Sequence, residues 1–194
     1  GTPLVSDPGY RLVGQAIKAG LRVVPIPGAS APLAALTASG LPSDAFLFAG
    51  FLPVKDGQRR QRLEALKAVP ATLIFFESPR RLDEALAAMA DVLGDRPAVI
   101  GRELTKTFEE FRRGGLAELA AHYASVEAPK GEVVICVGPP PEAAPQAQDV
   151  DRLLLSLAAE MPASKAAAEA ARLTGQPKPG LYRRLLELKD GAGD

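Results

Sequence analysis

Charged side chains follow directly on two apolar stretches of this chain. Glu77 ends the run TLIFFE and is followed shortly by Arg80 and Arg81. Arg102 and Glu103 follow the apolar run AVIG in the same way. An ionisable side chain at the end of a buried strand is costly unless it finds a partner. The partner of Glu77 could be a neighbouring arginine, in a structural ion pair, or a ligand. Acidic and basic side chains follow an apolar run at both places, and a solvated loop would not need this pairing twice.

Two glycine-containing turns offer a second kind of site. One is the segment at residues 1–3, with Ser6 and Asp7 behind it, and the other is the turn PGAS at residues 27–30. Glycine lets the backbone approach a ligand closely. Such a backbone suits a flat nucleoside that is read through main-chain N–H and C=O groups, although each turn could equally be a plain tight turn. In open α/β sheets, ligands bind outside the carboxyl ends of strands, so these turns and charged loops are expected there together.

Alternating strands and helices must position these segments. Short apolar or β-branched runs predict the strands, and helical spacing of apolar residues predicts the helices. The predicted strands cover residues 21–26, 45–49, 72–76, 98–101 and 132–137. The predicted helices cover residues 10–20, 30–39, 58–69, 79–93 and 116–125. This alternation predicts the α/β fold class.

Composition divides the chain into four predicted parts. Residues 1–31 are expected to be the remnant of an N-terminal α/β domain, because the turns, helix and strand predicted there have no preceding strands in the sequence. Residues 32–138 are the predicted C-terminal α/β domain. Residues 139–148 are rich in proline and alanine and predict a linker. Residues 149–190 predict a small all-helical tail with three short helices, similar to a helix-turn-helix unit.

Composition also excludes several classes of protein. The 194 residues carry 23 basic and 23 acidic side chains, so bulk charge gives no reason to expect nucleic-acid binding, although local patches could provide it. The single cysteine, Cys136, lies in the apolar run VVICV and predicts a buried core thiol. The single histidine, His122, is expected to have a structural role at the surface. The sequence contains no metal-ligand spacing, no phosphate-loop motif and no apolar stretch of membrane-spanning length.

Basic residues concentrate locally in two segments. Residues 55–67 contain five lysines and arginines against two acidic residues, and residues 172–189 contain five against Glu187 alone. Such patches can hold phosphates, or they can be solvated helix faces.

The loops taken together resemble the tetrapyrrole methylase fold family. The resemblance rests on six segments in this order: GTPLVSDPG, VVPIPGASA, LPSDAFLFAGFLP, TLIFFESPRRL, GRELTKTFEE and GEVVICVG. It implies a two-domain α/β protein, usually a homodimer, that binds S-adenosylmethionine between its domains. Within the family, the motifs are similar to those of enzymes that methylate the ribose 2′-hydroxyl of a cytidine in small-subunit ribosomal RNA. The strands and the glycine-rich loop that open this family are not in the sequence.

The resemblance and the charge pattern together assign roles to individual residues. The cofactor-binding residues implied by the resemblance are Gly1, Thr2, Pro3, Val5, Ser30, Ala31, Glu77, Leu104 and Glu132. Charge type and loop position make Glu103 and Glu77 the candidate catalytic bases, with Asp7 as the third candidate. The cations expected to hold RNA phosphates are Arg80, Arg81, Arg102, Lys106, Arg183 and Arg184. No residue is assigned to a metal.

Two other functions fit parts of the same pattern. A methylase acting on a tetrapyrrole or another small molecule could use the same fold, since fold does not fix substrate. A non-catalytic nucleic-acid-binding protein could use the helical tail, but it would not explain the loops of residues 1–138. The preferred hypothesis is a cytoplasmic methyltransferase that acts on ribosomal RNA or the small ribosomal subunit, with no membrane association.

Overall fold

The computed structural model describes residues 2–141 and 147–190. They belong to two compact units, Gly1–Pro141 and Glu142–Asp194. Gly1, residues 142–146 of the predicted linker and residues 191–194 lie outside the described residues. The finer division predicted at residue 31 stays a prediction.

A five-stranded mixed sheet forms the centre of the first unit. Its strands are β1 (Phe46–Phe51), β2 (Thr72–Glu77), β3 (Pro97–Arg102), β4 (Glu110–Gly115) and β5 (Val133–Val137), in the order β1-β2-β5-β3-β4. β1 and β2 are parallel, whereas the pairs β2–β5, β5–β3 and β3–β4 are antiparallel. The carboxyl ends of β1, β2 and β3 therefore lie at one edge of the sheet, beside the amino ends of β4 and β5.

Helices cover both faces of this sheet. The helices of the unit are α1 (Tyr10–Lys18), α2 (Ala31–Ser39), α3 (Asp56–Leu66), α4 (Leu82–Leu93) and α5 (Leu116–Ser125), and a short 3₁₀ turn covers Pro79–Arg81. One face packs on α3, α4 and α5, where Phe75 and Ile135 meet Leu63 and Leu86. The other face packs on α2 through alternate residues such as Ile74 and Cys136. The continuous apolar runs of β2 and β5 follow from this double burial, and the predicted α/β class is confirmed.

Cys136 lies in the middle of this core, as the sequence predicts. It is fully buried, and burial raises the pKa of its thiol to about 12. The reactive thiolate form is therefore suppressed, and a packing role is the consequence.

The apolar run at residues 21–26 was predicted to be a strand, and this prediction is wrong. Its Leu21, Val24 and Ile26 side chains are exposed, and within the described residues no strand pairs with the run. Hydrophobic content alone does not make a strand, because the backbone N–H and C=O groups need a hydrogen-bonded neighbour. The sequence analysis also did not predict β4, the outermost strand beside β3. Its residues EFRRGG are charged and glycine-rich, and charged residues are common in outermost strands.

The first basic segment, residues 55–67, is largely neutralised within the protein. Arg59 is buried and donates to Val54 O and to Glu84 Oε2, both at 3.0 Å. Arg60 pairs with Asp56 and Asp91, and Lys67 pairs with Glu64. The pairs with Glu84 and Asp91 tie α3 to α4, which favours a structural role for the segment.

The second unit consists of three described helices with their own core. They are α6 (Ala147–Glu160), α7 (Ala163–Thr174) and α8 (Lys178–Asp190), as the sequence predicts. Leu154, Ala166 and Leu185 are fully buried between them. Gly175 adopts a left-handed φ of 68° at the end of α7, and this conformation ends the helix. None of the described helices of either unit is both long enough and apolar enough to cross a membrane.

Candidate active site

A cavity of about 500 Å³ opens at the sheet edge where the strands β1 and β2 end. This size falls within the range of about 300–1,000 Å³ that is typical of small-molecule sites. Four segments and two single residues line it: residues 5–7, residues 29–32, residues 76–79, residues 131–134, Thr2 and Phe51. The prediction from strand ends thus locates the cavity, and predicted residues Thr2, Val5, Ser30, Ala31, Glu77 and Glu132 share it.

The N-terminal loop is held against the turn before α2. The Thr2 main-chain N–H donates to Ala29 O at 2.6 Å, and the Thr2 hydroxyl lies 3.2 Å from both Gly28 O and Ala29 O. Leu4 and Ser6 adopt left-handed φ angles of 72° and 62°. Non-glycine residues seldom adopt this conformation, and here it turns the loop so that Asp7 reaches the cavity wall.

The start of α2 supplies a wall of small residues. Ser30 has an extended backbone and caps the helix without a side-chain hydrogen bond, while Pro32 occupies the first turn. The first N–H groups of a helix have no intrahelical partner. Small side chains at Ser30 and Ala31 leave these groups and the space beside them open to a ligand.

Aromatic side chains form the apolar part of the cavity. The rings of Phe51 and Phe76 lie 5.5 Å apart between centroids, and Phe48 meets Phe76 edge-on at 4.9 Å. β1 has an irregular register between Phe48 and Gly50, where Gly50 adopts a φ of 69°. Such a bulge re-aims the residues behind it, and it precedes Phe51 directly. Sequence reasoning missed these aromatics because they read as ordinary strand residues.

Glu77 is buried and already has partners. Its Oε1 accepts hydrogen bonds from the Ser78 N–H at 2.7 Å and from Arg81 Nη2 at 2.5 Å. Because side chains alternate along a strand, the Glu77 side chain faces the same side of β2 as Phe75, towards α4. The structural ion pair considered for Glu77 is therefore formed with Arg81, while Arg80 is exposed.

Glu103 does not line the cavity, although it contacts a residue that does. Its Oε1 accepts hydrogen bonds from the Glu132 N–H and from Lys106 Nζ, both at 2.9 Å. The Lys106 cation and the Glu132 N–H lower the pKa of Glu103 below its ordinary value. The role of Glu103 or Glu77 as a base stays a prediction, but the contacts of both carboxylates favour a holding role.

Pro3 and Leu104, predicted to contact the cofactor, are not brought to the cavity wall. Leu104 is 8% exposed and packs beside Val99 and Val134 in the core under α2. A turn with a left-handed residue on either side of Leu104 points its side chain inward. The apolar character of Leu104 is thus used in packing.

Most cations predicted to hold RNA are paired inside the protein. Arg102 donates from Nε and Nη2 to Glu110 Oε2 at 3.1 and 3.0 Å. Lys106 lies between Glu103 and Glu132, and Arg184 donates to both oxygens of Asp151. Within the described part of the chain, Arg80 and Arg183 form no ion pair. Charge alone could not distinguish these two from the paired cations.

A mixed sheet layered by helices, with a ligand-sized cavity at its strand ends, is the arrangement in which α/β proteins hold small-molecule ligands. The family model described as Tetrapyrrole (Corrin/Porphyrin) Methylases matches residues 1–120, and the RsmI C-terminal HTH domain matches residues 144–189. The chain belongs to the tetrapyrrole methylase family.

Curated relatives support this membership, and solved structures share the fold. The fold is similar to the methyltransferase CobJ (TM-score 0.52, 19% identity, 72% of this chain and 62% of that chain). It is also similar to diphthine synthase (TM-score 0.52, 18% identity, 71% of this chain and 57% of that chain). Ribosomal RNA small subunit methyltransferase I of Mesorhizobium japonicum is 75% identical over all of this chain and 66% of that protein. The protein of that name from Pseudomonas aeruginosa is 51% identical over 96% of this chain and 68% of its own length. The chain thus spans about two thirds of these relatives.

Replacing Arg81 tests the ion pair that holds Glu77. We expect Arg81→Met to lower the free energy of unfolding by about 1–3 kcal/mol, because a buried acceptor loses its donor. Arg80→Met is the matched control, and its effect should stay within about 0.5 kcal/mol. Urea denaturation of both variants measures the difference. Equal effects of the two substitutions would contradict the assignment.

Proposed function

We propose that this chain forms the larger part of an S-adenosylmethionine-dependent methyltransferase that acts on the ribose 2′-hydroxyl of a cytidine in small-subunit ribosomal RNA. The observation that carries the proposal is the cavity at the sheet edge, formed by the segments that resemble the family's cofactor loops. The 75% identity to a protein named Ribosomal RNA small subunit methyltransferase I supports the RNA substrate over a tetrapyrrole.

The residues of the cavity fit a nucleoside-bearing cofactor. Phe51 and Phe76 offer aromatic surface to a flat ring, and the open backbone before α2 offers N–H and C=O groups. Thr2 and Val5 would complete the wall from the N-terminal loop. The bound cofactor supplies an electrophilic methyl group, and the protein's task is to position the ribose against it.

A ribose hydroxyl is a poor nucleophile, so an acceptor for its proton is needed. Glu77 and Glu103, the predicted bases, are engaged by Arg81 and Lys106. Asp7 lines the cavity, is exposed, and forms no ion pair within the described residues. We therefore assign the proton acceptor to Asp7, and we assign Glu77 and Glu103 to holding the loops.

The helical tail is the proposed phosphate anchor. Lys178, Arg183 and Lys189 of α8 are exposed and form no ion pair within the described residues. Arg184, also predicted to bind RNA, instead joins α8 to α6 through Asp151. Phosphate contacts of this kind position a protein on RNA without reading its sequence.

Two finer properties implied by the resemblance belong to the same proposal. A ribosomal substrate implies action in the cytoplasm, and the family's usual assembly implies a homodimer. Sedimentation equilibrium of the full-length protein tests the dimer directly.

Filling the cavity should weaken cofactor binding. Ala31→Leu adds bulk at the start of α2, and we expect the affinity for S-adenosylhomocysteine to fall by about tenfold or more, since the pocket volume is occupied. Ala38→Leu is the matched control, because Ala38 is an exposed position near the other end of the same helix. Titration calorimetry on the full-length protein measures both. Unchanged affinity in the Ala31 variant would place the cofactor elsewhere.

Removing the Asp7 carboxylate should slow methyl transfer without weakening cofactor binding. We expect Asp7→Asn to lower kcat by about 100-fold or more, the usual contribution of a general base. Asp83→Asn, at an exposed site in α4, is the control and should leave kcat unchanged. Methyl incorporation into small ribosomal subunits is the assay, with a porphyrin precursor as the alternative substrate. Near-normal kcat in the Asp7 variant would exclude Asp7 as the base.

Neutralising the tail should weaken RNA binding and its salt dependence together. We expect the double variant Lys178→Ala with Arg183→Ala to reduce the slope of log K against log[salt] by about 1 for each lost phosphate contact. Arg172→Ala removes a cation already paired with Glu169 and should leave the slope unchanged. Binding of a small-subunit RNA fragment over a salt series measures the slopes. Identical slopes in all three proteins would contradict the anchor.

A further inference from the structure

We propose that Glu103 is a positioning residue: together with Lys106 it latches the cavity wall at Gly131 and Glu132, and it does not touch the reacting groups. We call these four residues the latch. The link from latch to catalysis rests on the proposed function, whereas the link from latch to cavity wall rests on geometry alone.

The latch extends the sheet by one step beyond its last paired residues. β3 and β5 end their ladder at the pair Arg102 and Val133. One residue further, the Glu103 N–H donates to Glu132 O at 3.0 Å, and the Glu132 N–H donates back to Glu103 Oε1 at 2.9 Å. The side chain of Glu103 thus takes the place of a main-chain acceptor, so that the wall stays hydrogen-bonded after the strands diverge.

Lys106 closes the latch from outside. Its Nζ lies 2.9 Å from Glu103 Oε1 and 2.8 Å from Glu132 Oε2, so one cation bridges two carboxylates. Its own N–H donates to Glu103 O at 3.0 Å, which closes the turn. Two carboxylates this close to each other would repel without the cation between them.

Backbone conformation shows that the latch has a defined shape. Glu103 and Thr105 adopt left-handed φ angles of 48° and 66°, which is exceptional for a β-branched residue such as Thr105. Leu104, between them, anchors the turn in the core against Gly101. On the other side Gly131 has a φ of 100°, and a Cβ placed there would collide with the Glu103 carboxylate. Glycine at 131 therefore lets the wall approach Glu103 closely.

These contacts separate positioning from proton transfer. Residues 131–134 line the cavity, but Glu103 does not. A carboxylate that already accepts two hydrogen bonds, one of them from a cation, is a weak base. Its loss should therefore act on the shape of the wall and on cofactor affinity, and should leave the chemical step nearly unchanged.

Three variants of the full-length protein test the latch. Glu103→Gln keeps an oxygen that can accept from both the Glu132 N–H and Lys106, Glu103→Ala removes it, and Lys106→Met removes only the cation. Glu127→Gln, at an exposed site before the wall, is the control. The first readout is hydrogen exchange at the Glu132 amide. The second is the affinity for S-adenosylhomocysteine by calorimetry, and the third is kcat at saturating cofactor.

We expect Glu103→Ala to speed exchange at the Glu132 amide by about tenfold or more, because this N–H loses its acceptor. Cofactor affinity should fall by about tenfold while kcat changes by less than about threefold. Lys106→Met should give an intermediate result, and the Glu103→Gln and control proteins should resemble the wild type. Lys106→Met keeps both hydrogen bonds between Glu103 and Glu132. It therefore tests the latch even if Glu103→Ala does not fold.

Opposite outcomes are equally clear. A loss of about 100-fold in kcat for Glu103→Gln, with unchanged cofactor affinity, would make Glu103 the base and overturn the latch. Unchanged exchange at the Glu132 amide in both Glu103→Ala and Lys106→Met would also overturn it. If the wild type binds no S-adenosylhomocysteine, the proposed function fails, and the exchange measurement still decides whether the latch exists.

Discussion

The position of β5 in the sheet is the constraint on which the rest of the first unit depends. All residues of this strand are buried, and it pairs antiparallel with β2 on one side and β3 on the other. Because both neighbours run opposite to β5, they run parallel to each other and end at the same edge. Val133 pairs with Glu77 in one strand and with Arg102 in the other. A single residue thus aligns the two charged loops beside the cavity.

Charge pairing at this edge keeps the loops in place without closing the cavity. Glu77 is held by Arg81, and Glu103 and Glu132 share Lys106. The Glu77–Arg81 and Glu103–Lys106 pairs each span a single turn and restrict its conformation. The Lys106–Glu132 pair instead joins two separate segments. The two pairs of Lys106 are more exposed than the Glu77–Arg81 pair. Exposed ion pairs contribute little stability individually, so the main effect of the Lys106 pairs is on geometry.

How far the sequence predicts this arrangement depends on whether a residue's role is set locally. The apolar runs of β2 and β5 and the periodicity of α2 are local signals, and they located the sheet and the edge at which the cavity opens. The run at residues 21–26 failed because a strand depends on a neighbour that its own sequence does not show. The partner of Glu77 could not be predicted for the same reason, because it depends on the fold. Arg80 and Arg81 are adjacent and identical in type, and only the path of the backbone decides which of them pairs with Glu77.

Backbone strain at the cavity explains why so much pairing is concentrated there. The described residues other than glycine with a left-handed φ are Leu4, Ser6, Glu103 and Thr105, and they lie in the two loops beside the cavity. Each such residue costs on the order of 1–3 kcal/mol and persists only where surrounding contacts fix it. Thr2 fixes the first loop through its bonds to Ala29, and the latch fixes the second. Because the fold already holds these loops in their strained conformation, the cavity walls are preorganised. A ligand would therefore bind without the free-energy cost of ordering them.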